Sequence, residues 1–88
     1  MRETVVVRQQ VTVEIDEAKF NEAFLAEFRK SFYDFYTLED HIVHLGQLYA
    51  RGIADDFSFI EGYGTAKSMG IKFTEGEQTS EIKEPSDA

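Results

Sequence analysis

Residues 20–32 read FNEAFLAEFRKSF and place a phenylalanine at every fourth position, at Phe20, Phe24, Phe28 and Phe32. Side chains spaced by four lie on one side of an α-helix and drift slowly around it. We expect these rings to form the core, because burial of one phenylalanine contributes roughly 1.5–3 kcal/mol. Asn21 is the favoured N-cap, with Phe20 and Leu25 at the positions of a hydrophobic staple, and Asp16 is the alternative N-cap.

Two strand patterns flank this helical region. Residues 5–15 alternate with period two and are mostly β-branched, which indicates a long half-buried strand. Gln9 interrupts the apolar face of that strand, so we expect a bulge or bend there. Residues 71–74 alternate again and can pair antiparallel with the first strand, and Ile82 indicates a hairpin around Gly76 that would extend the sheet.

A second helix is predicted from Leu38 to about Arg51. Thr37 is a good N-cap and is followed three residues later by Asp40, a variant of the capping box. Gly52 stands where a left-handed residue commonly ends a helix. The glycine-rich segment that follows predicts one short helix over residues 56–60 and another over residues 66–69.

These patterns together predict an α+β fold, a small β-α-α-β domain with a two- or three-stranded antiparallel sheet packed on two main helices. The domain is expected to cover residues 1–75, and residues 76–88 are expected to form a polar acidic tail, disordered from residue 85 onward. A two-stranded sheet leaves the first strand with an unpaired edge. A homodimer could form across this edge, or Arg8, Gln10 and Glu14 could keep the edge solvated.

Charge is the strongest compositional signal of function. The chain of 88 residues has 17 acidic and 9 basic side chains, a formal net charge of −8. Such a surface repels nucleic acid and anionic membranes and attracts basic protein surfaces. We therefore expect a protein partner with a basic surface, with no direct contact to nucleic acid or membrane.

Three acidic doublets account for most of the excess charge: Asp16 with Glu17, Glu39 with Asp40, and Asp55 with Asp56. Without them, eleven acidic side chains stand against nine basic ones. Each doublet falls at a predicted helix start, where the helix dipole favours carboxylates. The doublets are therefore either a binding surface or local stabilisers of helix ends, and the sequence leaves both interpretations open.

Several classes of chemistry have little support in the sequence. There is no cysteine, no serine in a nucleophile elbow, and no third ligand at a fixed spacing from His41 and His44. We expect no enzymatic activity, no metal and no cofactor. Residues 62–67, GYGTAK, predict a turn with positive φ on both sides of Tyr63. Tyr63 could then either fill the core or project outward, and if it projects it is a candidate anchor for a protein interface.

The N-terminus has no signal-peptide pattern, and no apolar run approaches the roughly 20 residues of a membrane span. A cytoplasmic location is expected.

Three segments carry a resemblance to small uncharacterised bacteriophage and prophage proteins: SFYDF at residues 31–35, residues 41–51, and SFIEGYG at residues 58–64. The protein is also similar in character to acidic anti-CRISPR proteins, and this similarity implies no site residues. The leading hypothesis is an anti-CRISPR inhibitor that occupies a basic nucleic-acid-binding surface of a CRISPR surveillance complex. The residues expected to bind are the three doublets, Glu61 and Tyr63. The alternative is a non-enzymatic interaction or accessory module whose acidity serves solubility and helix capping.

Overall fold

A computed structural model describes residues 1–83 and has the order β-α-α-β-β-β. The elements are β1 (Val5–Glu14), α1 (Glu22–Ser31), α2 (Leu38–Ala50), β2 (Phe59–Ile60), β3 (Gly64–Thr65) and β4 (Lys72–Ile82). Strand β1 pairs antiparallel with β4, and β2 pairs antiparallel with β3. The predicted small α+β fold is confirmed. No helix within residues 1–83 combines the length and the hydropathy needed to cross a membrane.

The helix ends lie where local sequence places them. The Asn21 side chain caps α1 by accepting from the Phe24 N–H. At the start of α2, Thr37 and Asp40 form a complete capping box. The backbone N–H groups of Tyr36 and Thr37 donate to the Asp40 carboxylate and hold its pKa below the usual value. Gly52 follows the C-cap of α2 with φ of 75°.

Strands β1 and β4 form a long two-stranded ribbon with the expected irregularity at its centre. Gln9 pairs with Gln78 and Val11 pairs with Glu75, so three residue steps on β4 stand opposite two on β1. The extra residue lies beside Gly76, where a Cβ would come within 3.1 Å of the Gln10 Cβ. Such a bulge bends and twists the ribbon.

The predicted tail needs correction in its first part. Residues 76–82 belong to β4, which pairs along β1 as far as the pair of Val5 and Ile82. Their sequence did not indicate a strand because all of these β4 side chains are exposed, so no alternation of apolar and polar residues marks a buried face. The last part of the predicted tail, residues 84–88, lies outside the described residues.

The short helix predicted over residues 56–60 is wrong, because β2 and β3 form a small hairpin there. Gly62 and Gly64 have φ values of 92° and 95°, which confirms the predicted positive φ on both sides of Tyr63. The helix predicted over residues 66–69 is also wrong, since a series of turns occupies this segment. Glycine permits the tight hairpin because it has no Cβ to oppose positive φ.

Aromatic rings from all parts of the chain meet in one core. Phe20 and Phe28 from the α1 region pack against Leu45 of α2 and against Ile71 and Phe73 at the base of the ribbon. Other buried members are Ala54, Ile60, Tyr63 and Ala66. Where α2 meets β4, the Tyr49 ring stacks on Phe73 at 4.9 Å. The core thus fixes both helices against one end of the ribbon.

Candidate protein-binding groove

An open groove of about 690 Å³ crosses the surface beside α2. Its lining comes from four parts of the chain: Phe32, Tyr33, His44, Leu48, Ile53, Phe59, Ile60 and Glu61. Phe32 and Tyr33 follow the end of α1, and His44 and Leu48 belong to α2. Ile53 lies in the loop after α2, and the last three residues belong to β2 and the position after it. The surface that results is mostly aromatic and aliphatic, with a single carboxylate from Glu61. We call it the aromatic groove.

Phe32 and Tyr33 reach the groove because α1 stops at Ser31. Phe32 is the C-cap residue, and its backbone (φ −127°, ψ −88°) leaves the helical conformation while its N–H still donates to the Phe28 carbonyl. Gly62 lies directly beneath the rings of Phe28 and Phe32, where a Cβ would approach Phe28 to 2.8 Å and Phe32 to 3.3 Å. The absence of a side chain at Gly62 therefore lets the α1 rings close over the hairpin.

Four apolar side chains of the groove are strongly exposed: Phe59 by 71%, Ile53 by 61%, Tyr33 by 54% and Phe32 by 41%. Phe32 was expected in the core with the other rings of its series, and this expectation is wrong. Phe32 lies beyond the last residue of α1, and its ring packs on Phe28 at 5.1 Å. The Phe28 ring is also covered by the rings of His41 and Tyr63, which explains its deeper burial. Large contiguous patches of exposed apolar surface are typical of interaction sites, so these side chains make the groove a candidate site.

His44 is the one titratable nitrogen base of the groove. Its ring packs edge-on against Tyr33 at 5.2 Å and Phe35 at 5.3 Å. Burial lowers the pKa of His44, and the positive charge of Arg51 lowers it further. A neutral imidazole at physiological pH keeps this part of the groove uncharged, so Glu61 contributes the only formal charge among its lining residues.

Of the two positions open to Tyr63, the structure shows the buried one, so its expected role as a binding residue is wrong. Its hydroxyl lies 2.8 Å from His41 Nδ1, and both side chains are closed off from solvent. Burial raises the Tyr63 pKa, so the phenol stays protonated. His41 Nε2 has no hydrogen-bond partner within residues 1–83, and the rings of Phe28 and Phe35 stand edge-on to the imidazole at 4.7 and 5.1 Å. Burial therefore lowers the pKa of His41.

The aspartates of the three doublets mainly satisfy nearby backbone groups. Asp16 accepts from the Ala18 N–H, Asp40 caps α2, and Asp55 accepts from the Phe57 N–H. Asp56 reaches across to the Phe73 N–H at 2.8 Å and ties the loop to β4. Only the pair of Glu39 and Asp40 lies in the first turn of a helix; the other two doublets begin turns.

The doublets do not converge on one surface. Asp16 lies against Gly70, and Gly70 lines the same small cavity as Asp56, so two doublets share one end of the molecule. Lys67 and Lys72 line that cavity too and offset part of its negative charge. The doublet of Glu39 and Asp40 lies in the first turn of α2. Asp55 and Asp56 lie near Tyr49 in the last turn of α2, where the hydrogen bond to Glu75 raises the Tyr49 pKa most and these two carboxylates raise it further. The helix is about 20 Å long. Of the eight residues predicted to bind a partner, Glu61 alone lines the aromatic groove.

No cluster of three or more metal-ligating side chains occurs in the part of the chain that the structure describes. Comparison with protein-family models, with curated proteins and with solved structures found no match to this chain. The surface of the protein itself is therefore the basis for inferring its function.

Sequence reasoning missed most of the groove, although one signal was present. Phe57, Phe59 and Ile60 stand close together, and an extended backbone must direct Phe59 and Ile60 to opposite sides. Ile60 is buried and Phe59 exposed, as that alternation requires. Interpreting residues 56–60 as a helix concealed this pattern.

Proposed function

We propose that this protein is a small non-enzymatic protein-binding module that works in the cytoplasm and binds its partner in the aromatic groove. The partner is a protein that presents an apolar side chain flanked by lysine or arginine. The observation that carries the proposal is the groove itself, in which Phe59, Ile53 and Tyr33 are more than half exposed around a single carboxylate.

The exposed aromatic side chains of the groove are suited to supply the free energy of binding. Burial of apolar area contributes roughly 25 cal/mol per Å², and aromatic side chains dominate the few positions that carry most of the binding energy in interfaces. Phe59 and Tyr33 are such side chains, and Tyr33 is held by its neighbours. The Tyr33 ring stacks on Phe35 at 5.3 Å, so little side-chain freedom remains to be lost on binding.

Charge determines which partners suit the groove. Residues 11–75, which we call the body, contain twelve acidic and six basic side chains, and Glu61 borders the groove. A partner that is basic around an apolar anchor is steered toward this body at long range and gains affinity from the groove at short range. Acidic doublets away from the groove then serve turns, helix capping and solubility.

The test compares two variants of similar exposure. Phe59→Ser removes a groove ring, and Val43→Ser removes an apolar side chain that is 59% exposed on α2 outside the groove. Both variants should unfold at nearly the wild-type temperature. Immobilised wild-type protein and Val43→Ser should capture the same partner from a bacterial lysate, and Phe59→Ser should lose it. The proposal is wrong if no captured protein distinguishes Phe59→Ser from Val43→Ser.

The second candidate is an anti-CRISPR inhibitor whose carboxylates replace the phosphates of DNA in a CRISPR surveillance complex. In favour of it, the doublets that contain Asp16 and Asp56 share one end of the molecule. The Glu17 and Glu39 side chains also form no hydrogen bond within residues 1–83, so their charges are available for contact. Such an inhibitor would act in the host cytoplasm if the protein is phage-encoded.

Salt dependence and charge reversal separate the two candidates. Competition for a DNA site should weaken steeply with salt and should be lost in the double variant Glu17→Lys/Glu39→Lys, which retains every aspartate hydrogen bond. Binding in the groove should fall only modestly in that variant and should be lost in Phe59→Ser. The anti-CRISPR candidate fails if a panel of purified surveillance complexes keeps full DNA binding at a stoichiometric amount of this protein.

A further inference from the structure

The half of the ribbon beyond the bulge lies outside the core. We call residues 1–10 with 76–83 the distal ribbon; they are paired along Val5–Gln9 and end where the Lys83 N–H donates to the Thr4 carbonyl. The molecule measures 53 Å along its longest axis and 24 × 19 Å across, with a radius of gyration of 16.4 Å. A compact chain of this length has a radius of gyration of about 12 Å. An extended ribbon accounts for the difference.

One face of the distal ribbon exposes three apolar side chains, which lie among the polar side chains of Gln9, Gln78 and Ser80. Alternation continues along β1 from Val13 and Val11, which pack against the core, to Val7 and Val5 on the same face. Val5 pairs with Ile82, so these side chains are neighbours across the ribbon. Val5, Val7 and Ile82 are 53%, 55% and 60% exposed. These three apolar side chains thus lie beyond the part of the ribbon that the body covers.

Charge separates the distal ribbon from the body. The distal ribbon has three basic and three acidic side chains and is neutral, whereas the body has six more acidic than basic ones. Two copies that met through their bodies would repel each other. Copies that met through their distal ribbons would keep the acidic bodies apart, and charges separated by more than about 8 Å are largely screened at physiological ionic strength.

The two edges of the ribbon differ in their capacity to pair. β4 has the bulge at Gly76 and the glutamates Glu75, Glu77 and Glu81, features that discourage pairing of an edge strand. The outer edge of β1 has three consecutive valines at residues 5–7 and, within residues 1–83, no strand beyond it. A two-stranded sheet on its own is marginally stable, and added strands stabilise it. β1 is therefore the edge suited to pairing.

We propose that two copies of this chain pair antiparallel through the outer edge of β1 to form a four-stranded sheet with Val6 at the two-fold axis. A two-fold axis perpendicular to the sheet keeps equivalent faces on the same side, so odd-numbered residues pair with odd-numbered ones. With Val6 opposite Val6 of the second copy, Val5 stands opposite Val7 of the second copy. In this register no like charges are directly opposite, because Arg8 pairs with Thr4 and Glu3 with Gln9.

The chain has no cysteine, so a single introduced thiol reports this register directly. Residues directly opposite across antiparallel strands have Cβ atoms roughly 4.5–5.5 Å apart, close to the spacing that a disulfide needs. Val6→Cys should form a disulfide-linked dimer under mild oxidation at micromolar concentration. Val43→Cys, on the exposed face of α2, should remain mostly unlinked under the same conditions and is the matched control.

Sedimentation of the wild-type protein gives the second measurement. We expect a species of twice the chain mass of 10.1 kDa, and Val7→Lys should raise the dimer dissociation constant at least tenfold. Val7 is exposed in the single chain, so this substitution leaves the core intact. A wild-type monomer at several hundred micromolar overturns the proposal. A dimer that Val7→Lys leaves unchanged and Phe59→Ser dissociates also overturns it, because the copies would then meet through the aromatic groove.

Discussion

In the body, Phe20, Phe28 and Leu45 are buried almost completely, whereas in the distal ribbon Val5, Val7 and Ile82 are more than half exposed. The body depends on side chains that meet from distant parts of the sequence. The distal ribbon depends on main-chain pairing between β1 and β4 and has little side-chain burial of its own. Substitutions of similar size should therefore have very different effects on the free energy of unfolding in the two regions.

The largest difference is expected between Phe28→Ala and Val7→Ala. Phe28 contacts His41, Phe35 and Tyr63 through ring packing, and its removal leaves a cavity in the core. Loss of a buried phenylalanine costs about 3–5 kcal/mol. Val7→Ala removes exposed methyl groups and should cost less than about 0.5 kcal/mol. Urea unfolding at a concentration where the protein is monomeric measures both values, and similar costs would contradict the comparison.

Within the core, Tyr63→Phe tests the buried hydrogen bond. The substitution keeps the ring and removes the hydroxyl that lies 2.8 Å from His41 Nδ1. His41 Nε2 already has no partner within residues 1–83, so neither nitrogen of the buried imidazole is then paired. An unsatisfied buried polar group costs about 1–3 kcal/mol. Tyr33→Phe, which changes an exposed hydroxyl in the groove, is the control and should leave the midpoint of urea unfolding nearly unchanged. Equal midpoints for the two variants would show that the His41 contact contributes nothing.

The free energy of unfolding should also depend on pH through His41. Burial lowers the pKa of His41 below the 6.5 of an unfolded histidine, so the unfolded state binds the extra proton first. The stabilisation is complete above about pH 6.5 and is lost as the pH falls, by at most about 1.4 kcal/mol per pH unit for one proton. Charged and titratable groups near the imidazole are His44, Asp40, Arg29 and Tyr63.

The measurement is urea unfolding between pH 7.5 and 5.5, above the range in which most carboxylates titrate. His44 acts in the same direction because its pKa is also lowered. The double variant His41→Leu/Tyr63→Phe removes the buried pair and should have a shallower pH dependence than the wild-type protein. His44→Asn should keep the part that belongs to His41. An unchanged slope in the double variant would mean that His41 is not the titrating group.

The smallest effect is expected at the ion pair of the distal ribbon. Arg8 and Glu81 approach to 3.5 Å, but their side chains are 72% and 69% exposed. Exposed ion pairs contribute little because water and salt screen them. Arg8→Ala should therefore change the midpoint of urea unfolding by no more than Val7→Ala does. A clear loss of stability would show that side-chain contacts hold the ribbon, contrary to the comparison.

Much of the local structure could be predicted from local chemistry. Asn21, Thr37 and Gly52 mark helix ends through contacts within a few residues, and such contacts need no tertiary context. The irregularity near Gln9 could also be predicted because a polar residue interrupts an apolar alternation. The extent of β4 could not, since residues 76–82 pair through backbone groups that every sequence has.

The acidic doublets show why the site was harder to predict than the fold. The aspartate of an acidic doublet can accept from the N–H two residues later and begin a turn, as Asp16 and Asp55 do. It can also accept from N–H groups three and four residues earlier and cap a helix, as Asp40 does. The sequence pattern is the same in each case. Whether a helix or a turn forms depends on the path of the chain that follows. The same path places the doublets on different parts of the surface.

The sequence by itself determined that this chain forms two capped helices with antiparallel strands and that its net charge is strongly negative. Tertiary structure decided which aromatic side chains are buried. Phe28 and Phe32 are both phenylalanines on one helical series, yet only Phe28 is buried, while Tyr63 is buried and Tyr33 exposed. Burial depends on chain segments that arrive from elsewhere, such as those that bring the His41 and Tyr63 rings onto Phe28. No local pattern specifies where those segments pack.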